Sequence, residues 1–183
     1  AFYNTQLEIG GDLFTEPTSL EGAEKSGDLR VGALYNFNTE TINLPALAAK
    51  VEVEFPTGLR SRGVDATVGG ILTRSFGRWR THLNAEYTVV GSARGTERNG
   101  LYRLAAGVSY PLGYPMRFRE TLIADVFTRQ SELSGGRNPT GMEVGLRHQF
   151  SSRIVLDGGI GTEFAGPSDH SAVFGTVGLS IGF

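Results

Sequence analysis

Residues 171–183 read Ser-Ala-Val-Phe-Gly-Thr-Val-Gly-Leu-Ser-Ile-Gly-Phe, and the alternation within them decides the fold. Val173, Val177, Leu179, Ile181 and Phe183 fall on one side, and Ala172, Thr176, Gly178, Ser180 and Gly182 on the other. A period of two marks a β-strand, because successive side chains of a pleated chain point to opposite faces. The segment before it repeats the pattern: Ile154, Leu156, Ile160 and Phe164 oppose Asp157, Gly159, Gly161 and Glu163, and only Val155 blurs the alternation.

The same period runs upstream. Met142, Val144, Leu146 and Phe150 oppose Glu143, Gly145, Arg147 and Gln149; Tyr102, Leu104, Ala106, Val108 and Tyr110 oppose Arg103, Ala105, Gly107 and Ser109. Trp79, Leu83, Ala85, Tyr87 and Val89 oppose Arg80, His82, Asn84, Glu86 and Thr88. In the first third, Leu47, Ala49, Val51, Val53 and Phe55 face away from Lys50, Glu52 and Glu54. Leu29, Val31, Ala33, Tyr35 and Phe37 face away from Asp28, Arg30, Gly32 and Asn36, and Leu7, Ile9 and Leu13 from Gln6, Glu8, Gly10 and Asp12. Two further segments are less regular. Residues 66–76 put Arg74 on the apolar side near a strand end, and residues 116–130 put Glu120 there, which predicts a bulge that shifts the register.

Ten strands result, and their connections alternate in length. TEPTSLEGAEKS, TGLRSRGVD, GSARGTERNG, SELSGGRNPT and GPSDHS are long and rich in turn formers, whereas TETIN, GR, GYP and SS are short. Long links at one rim and tight turns at the other describe an antiparallel up-and-down meander. The expected fold is all-β, a single transmembrane barrel domain over residues 1–183 with about ten strands, an even number that lets the first close on the last.

Composition narrows the class further. A net charge of −2, from 17 basic and 19 acidic residues without a basic cluster, gives no long-range attraction for nucleic acid. No cysteine is present, so neither a disulfide framework nor a thiolate metal site exists. No apolar run approaches the roughly 18 residues of a membrane-spanning helix, and AFYNTQLEIG lacks the regions of a signal peptide, so an exported protein would have lost its signal.

Alternation alone is symmetric, because a soluble barrel or sandwich would bury the apolar face and wet the charged one. Three features favour the inverted arrangement. Apolar bands of about five alternate positions recur with a uniformity that a lipid belt explains, since globular strands average about 5–6 residues in all. Aromatic residues of the apolar face gather toward strand ends: Phe37, Phe76, Trp79, Tyr110, Phe118, Phe150 and Phe183 at the short-turn rim, and Phe55, Tyr87, Tyr102 and Phe164 at the long-loop rim. Interfacial rings favour those depths. The polar face mixes glycine with ionisable residues of both signs, as side chains pairing in a narrow lumen would require.

The stretch GDLRVGALYNFNTETINLPALAAKVEVEFPTG, continuing through GILTRSFGRWRTHLNAEYTVVG, resembles the outer-membrane β-barrel family named for the phenol meta-cleavage degradation pathway. The residues that carry the resemblance are Gly27-Asp28 opening a strand, Leu44-Pro45-Ala46-Leu47-Ala48, Phe55-Pro56-Thr57-Gly58 and the His82-Leu83-Asn84 strand. The likeness is closest over about residues 4–90 and looser beyond. It implies a transporter-like protein of the Gram-negative outer membrane, a link to aromatic compounds through the family name, and about twelve strands, with an N-terminal hairpin preceding the ten counted here. The terminal strand ending at Phe183 is similar to the signal read by the outer-membrane barrel assembly machinery, an expected partner together with outer-membrane lipid.

By this register the lumen is lined by Glu8, Asp12, Asp28, Arg30, Lys50, Glu52, Glu54, Arg80, His82, Glu86, Arg103, Arg117, Arg119, Asp125, Arg129, Glu143, Arg147, Asp157 and Glu163. Such a wall either selects permeating solutes by charge or pairs up and fills a closed barrel. The first reading is a narrow porin-like channel for passive or facilitated transport of small solutes. The alternative is a closed structural or partner-binding barrel in an envelope assembly.

His82 and Glu86 project to one side of one strand, and a hydrogen-bonded lumen histidine is favoured over a metal or acid–base role. His148 lies on the apolar face and His170 in the last loop. An outer-membrane hydrolase is a third reading, but no serine stands in a G-x-S-x-G context, and Asp169-His170 with Asp65 would meet only through the fold. No phosphate loop, zinc signature or calcium loop occurs, so no enzymatic activity, cofactor or metal is expected.

Overall fold

The computed structural model describes residues 4–11, 28–58, 62–113, 119–165 and 172–181. Ten strands form one sheet: β1 (Thr5–Gly11), β2 (Leu29–Asn38), β3 (Ala46–Phe55), β4 (Asp65–Phe76), β5 (Trp79–Val89), β6 (Gly100–Leu112), β7 (Glu120–Arg129), β8 (Thr140–Gln149), β9 (Ile154–Ala165) and β10 (Ala172–Ile181). Each pairs antiparallel with its neighbours in sequence, so the order is β1 to β10 without a crossover. No helix of the described residues is long and apolar enough to cross a membrane. The up-and-down meander expected from the alternating connections is the architecture found.

Burial inverts the usual order of a folded chain. Among the described residues no apolar side chain is buried, whereas Asp28, Asp65, Thr73 and Ser131 are. Apolar residues such as Leu83 and Val126 stand half exposed on one face of the sheet, and the opposite polar face is the more sheltered. The chain exposes 13091 Å², against about 8,600 Å² for a compact soluble protein of this mass. A single-layer sheet with no second layer among the described residues is consistent with the excess.

Two irregularities of the alternation resolve differently from expectation. Residue by residue, β7 pairs with β6 and β8 without a register shift, so no bulge places Glu120 on the apolar side. Glu120 stands directly opposite His148, and its carboxylate lies 3.2 Å from the imidazole Nδ1. These two polar residues of the apolar face are therefore each other's partner, and His148 also meets Phe150 edge to face at 4.5 Å. The register shifts that do occur lie between Asn36 and Asn38 in β2 and between Thr140 and Gly141 in β8.

Arg74 closes a clasp at the short-turn rim. Its guanidinium donates to the carbonyls of Thr41 (2.8 Å) and Ile42 (2.6 Å) in the β2–β3 connection. In return Glu40 accepts the backbone N–H of Ser75 at 2.6 Å and its hydroxyl at 2.8 Å. The adjacent two-residue turn, Gly77-Arg78, holds Gly77 at φ +63°, a conformation glycine adopts without steric cost.

At the opposite rim the sheet continues into the loops. Glu97 and Leu133 form a bridge between the β5–β6 and β7–β8 connections, flanked by hydrogen bonds from Arg98 N to Glu132 O and from Ser134 N to Thr96 O. Asp65 accepts the N–H of Gly91 at 3.0 Å and binds a third connection to this group. At the sides, no contact joins β1 to β10 among the described residues, and both edge strands carry highly exposed side chains, Leu7 at 79% and Val177 at 86%.

The clasp gives a pH prediction. Hydrogen bonds from the Ser75 backbone and hydroxyl, with Arg74 nearby, hold the Glu40 carboxyl below its usual 4.5. A depressed folded-state value means that the clasp contributes stability above the unfolded pKa and loses it as pH falls through the folded value. In urea titrations the wild-type midpoint is expected to drop below pH 4.5 more steeply than that of Glu40→Gln. Parallel acid profiles for the two proteins would show that the clasp carries no stability.

Candidate functional site

The polar face is built by register as much as by period. Directly opposed residues form rows across the sheet: Lys50, Gly69, Glu86, Arg103 and Arg129 run from β3 to β7. Gly107, Asp125, Glu143, Gly161 and Phe174 run from β6 to β10. Glu8 and Glu52 flank Gly32, Arg30 opposes Glu54, and Arg147 opposes Asp157. All the described candidates of the strands therefore share one face. Arg119 precedes β7, where its carbonyl accepts the N–H of Gln149. Asp12 and Arg117 lie outside the described residues, as do Phe118, Phe183 and the Asp169-His170 pair.

Glycine in a middle strand lets charges from the strands on either side meet above it. Lys50 of β3 reaches Glu86 of β5 at 3.4 Å over Gly69, and also lies 3.4 Å from Glu52. Arg129 of β7 reaches Glu163 of β9 at 3.1 Å across the strand that carries Gly141. Glu143 of β8 and Thr176 of β10 hydrogen bond over Gly159. Arg147 and Asp157, on adjacent strands, pair at 2.6 Å. Half-exposed pairs of this kind contribute about 0–1 kcal/mol each, so they fix side-chain positions more than they stabilise the sheet.

His82 sits at the middle of the face. Its Nδ1 shares a hydrogen bond of 2.9 Å with the buried hydroxyl of Thr73, directly opposite on β4. Two hollows meet at its ring. One, of about 610 Å³, lies toward the short-turn rim, and the other, of about 570 Å³, toward mid-sheet. Arg80 and Arg147 line the first; Arg103, Arg129, Asp125, Glu143 and Glu163 line the second. Among the described residues no three His, Asp or Glu side chains converge as metal ligands would.

Several residues of this face escape the alternation. Phe127 and Phe174 both lie on the polar face, with ring centroids 6.1 Å apart over strands that carry glycines at 141 and 161. Phe174 interrupts an apolar run, Ala172-Val173-Phe174, that reads equally well in either register. Asp28 is 2% exposed at the loop end of β2, where its carboxylate accepts the N–H of Gly58 at 2.8 Å. The aromatic candidates Phe37, Phe55, Phe76, Trp79, Tyr87, Phe150 and Phe164 are exposed on the apolar side. Tyr110 stacks obliquely on Trp79 at 4.7 Å, and the Tyr102 hydroxyl accepts from Asn138 Nδ2 at 2.9 Å.

The glycine rows can be tested by filling one. A Cβ at Gly69 would lie 3.0 Å from Glu86 Cγ, whereas one at Gly70 meets nothing within 4 Å. Gly69→Val is expected to destabilise by about 1–3 kcal/mol in urea unfolding and to abolish the coupling between Lys50 and Glu86 in a double-mutant cycle. Gly70→Ala is the control, expected to change little. Equal effects at the two positions would show that the space above Gly69 is not what matters.

No curated protein matches the chain. The profile of the family described as "Putative MetA-pathway of phenol degradation" matches residues 2–169, nearly the whole length, and the chain belongs to that family.

Proposed function

We propose that the protein is a β-barrel of the bacterial outer membrane whose polar face lines a narrow passage for small solutes, with no covalent chemistry of its own. The observation that carries this reading is the inversion of burial: apolar side chains cover one exposed face, none of those described is buried, and the charged residues share the sheltered face. In water such a surface would far exceed the few hundred Å² of contiguous apolar patch that monomeric proteins tolerate. In lipid it is the expected exterior.

Dimensions agree. From β2 onward the strands have 10 to 13 residues, which at about 3.3 Å per residue and a tilt of about 40° span about 25 Å, the height of an outer-membrane apolar band. Family membership links the chain by name to the degradation of phenol, which supports a small aromatic compound as the class of solute. The ion pairs over Gly69 and beside Gly141 favour a second reading, in which the paired side chains fill the lumen and the barrel serves as a structural or partner-binding element of the envelope.

Two measurements separate these readings. The protein folded in detergent is expected to migrate faster on gels before boiling than after, and to need detergent to remain monodisperse. A folded, monodisperse chain in plain buffer would overturn the membrane assignment. In planar bilayers the passage predicts discrete single-channel openings, whereas folded protein in a silent bilayer would overturn it and leave the filled barrel.

A further inference from the structure

The hollow at the short-turn end of the polar face differs in charge from the one beside it. Arg78, Arg80 and Arg147 line its 610 Å³, together with His82 and the hydroxyl residues Ser109 and Thr121, and among the described residues no carboxylate does. The mid-sheet hollow sets three carboxylates against two guanidinium groups. Of the carboxylates bonded to residues that line the first hollow, Glu40 is engaged by both donors of Ser75 and Asp157 by Arg147 Nε. Arg80 makes no hydrogen bond or ion pair with any described residue, and only the Nε of Arg147 is taken. Both guanidinium groups lie within electrostatic range of His82, whose Nδ1 is held by Thr73 while the rest of the ring borders the hollow.

We infer that this hollow is a binding site for a small oxyanion, a carboxylate or a phosphate, held chiefly by Arg80 and Arg147. A guanidinium offers paired N–H donors to two oxygens of such a group, and charge-assisted bonds of this type are about twice as strong as neutral ones. His82, Ser109 and Thr121 supply further polar contacts around the same space. The volume suits a small molecule. The inference rests on the polar face being a lumen shielded from lipid, and it adds the chemical class that the passage retains.

The test is equilibrium binding to folded protein in detergent micelles, which needs no conduction. Sodium acetate and inorganic phosphate are titrated separately at constant ionic strength, with chloride as the balancing ion, and the thermal unfolding midpoint is followed by circular dichroism. A ligand that binds only the native state raises that midpoint. At least one of the two anions is expected to do so for the wild type, and Arg80→Gln to bind it about tenfold more weakly. Arg80→Lys keeps the charge and is expected to restore part of the affinity. Arg80 makes no hydrogen bond or ion pair with a described residue, so its substitution is expected to leave the fold intact even where Arg147→Gln, which breaks the pair with Asp157, does not.

Whichever anion shifts the midpoint identifies the class. No shift with either, or equal shifts in the wild type and Arg80→Gln, would overturn the site. A silent bilayer accompanied by anion-specific stabilisation would overturn the passage and keep the site; a conducting pore without such stabilisation would do the reverse.

Discussion

A charged side chain on the polar face can meet a partner two strands away only if the strand between them carries no side chain at that point. This steric condition organises the sheet. Lys50 and Glu86 satisfy it over Gly69, and Glu143 and Thr176 over Gly159. Phe127 and Phe174 approach each other over the glycine-bearing strands β8 and β9. A β-carbon at Gly69 would press on Glu86, and one at Gly161 on the Phe174 ring. Glycine normally weakens a strand by about 0.5–1 kcal/mol relative to alanine. Here that cost is offset by contacts that no flat, fully substituted sheet could make.

Strands and faces were legible in the sequence because both depend on a period of two, which each segment carries within itself. Ile154 to Phe164 and Tyr102 to Tyr110 needed no knowledge of their neighbours. What depends on the pairing between strands was not legible. Glu120 and His148 look like two separate defects until the β7–β8 register sets them opposite each other, and Arg74 looks misplaced until the β2–β3 connection presents its carbonyls. The inward Phe174 was hidden for the opposite reason, since three successive apolar residues leave the period undefined. The depth of Asp28 and its bond to Gly58 depend on a loop whose path the strand pattern does not encode.

The polar face is not uniform along its length. At mid-sheet, acids and bases compensate one another, so the field there is close to neutral. At the short-turn end the described residues that line the space carry guanidinium groups and no carboxylate. Two neighbouring spaces that share one histidine can therefore rank the same solute differently. In the passage proposed above, a rise in affinity at one point would slow transit there while it raised local occupancy, so retention and flux would oppose each other.

The bridge between Glu97 and Leu133, with the hydrogen bonds beside it, has a mechanical meaning as well as a structural one. Connections that fluctuate independently form a fringe whose opening varies from moment to moment. Connections joined backbone to backbone must open together or stay closed, because separating them breaks several bonds at once. The β5–β6 and β7–β8 connections then move as one unit, and their relative position is set by main-chain geometry that substitutions at their tips leave unchanged.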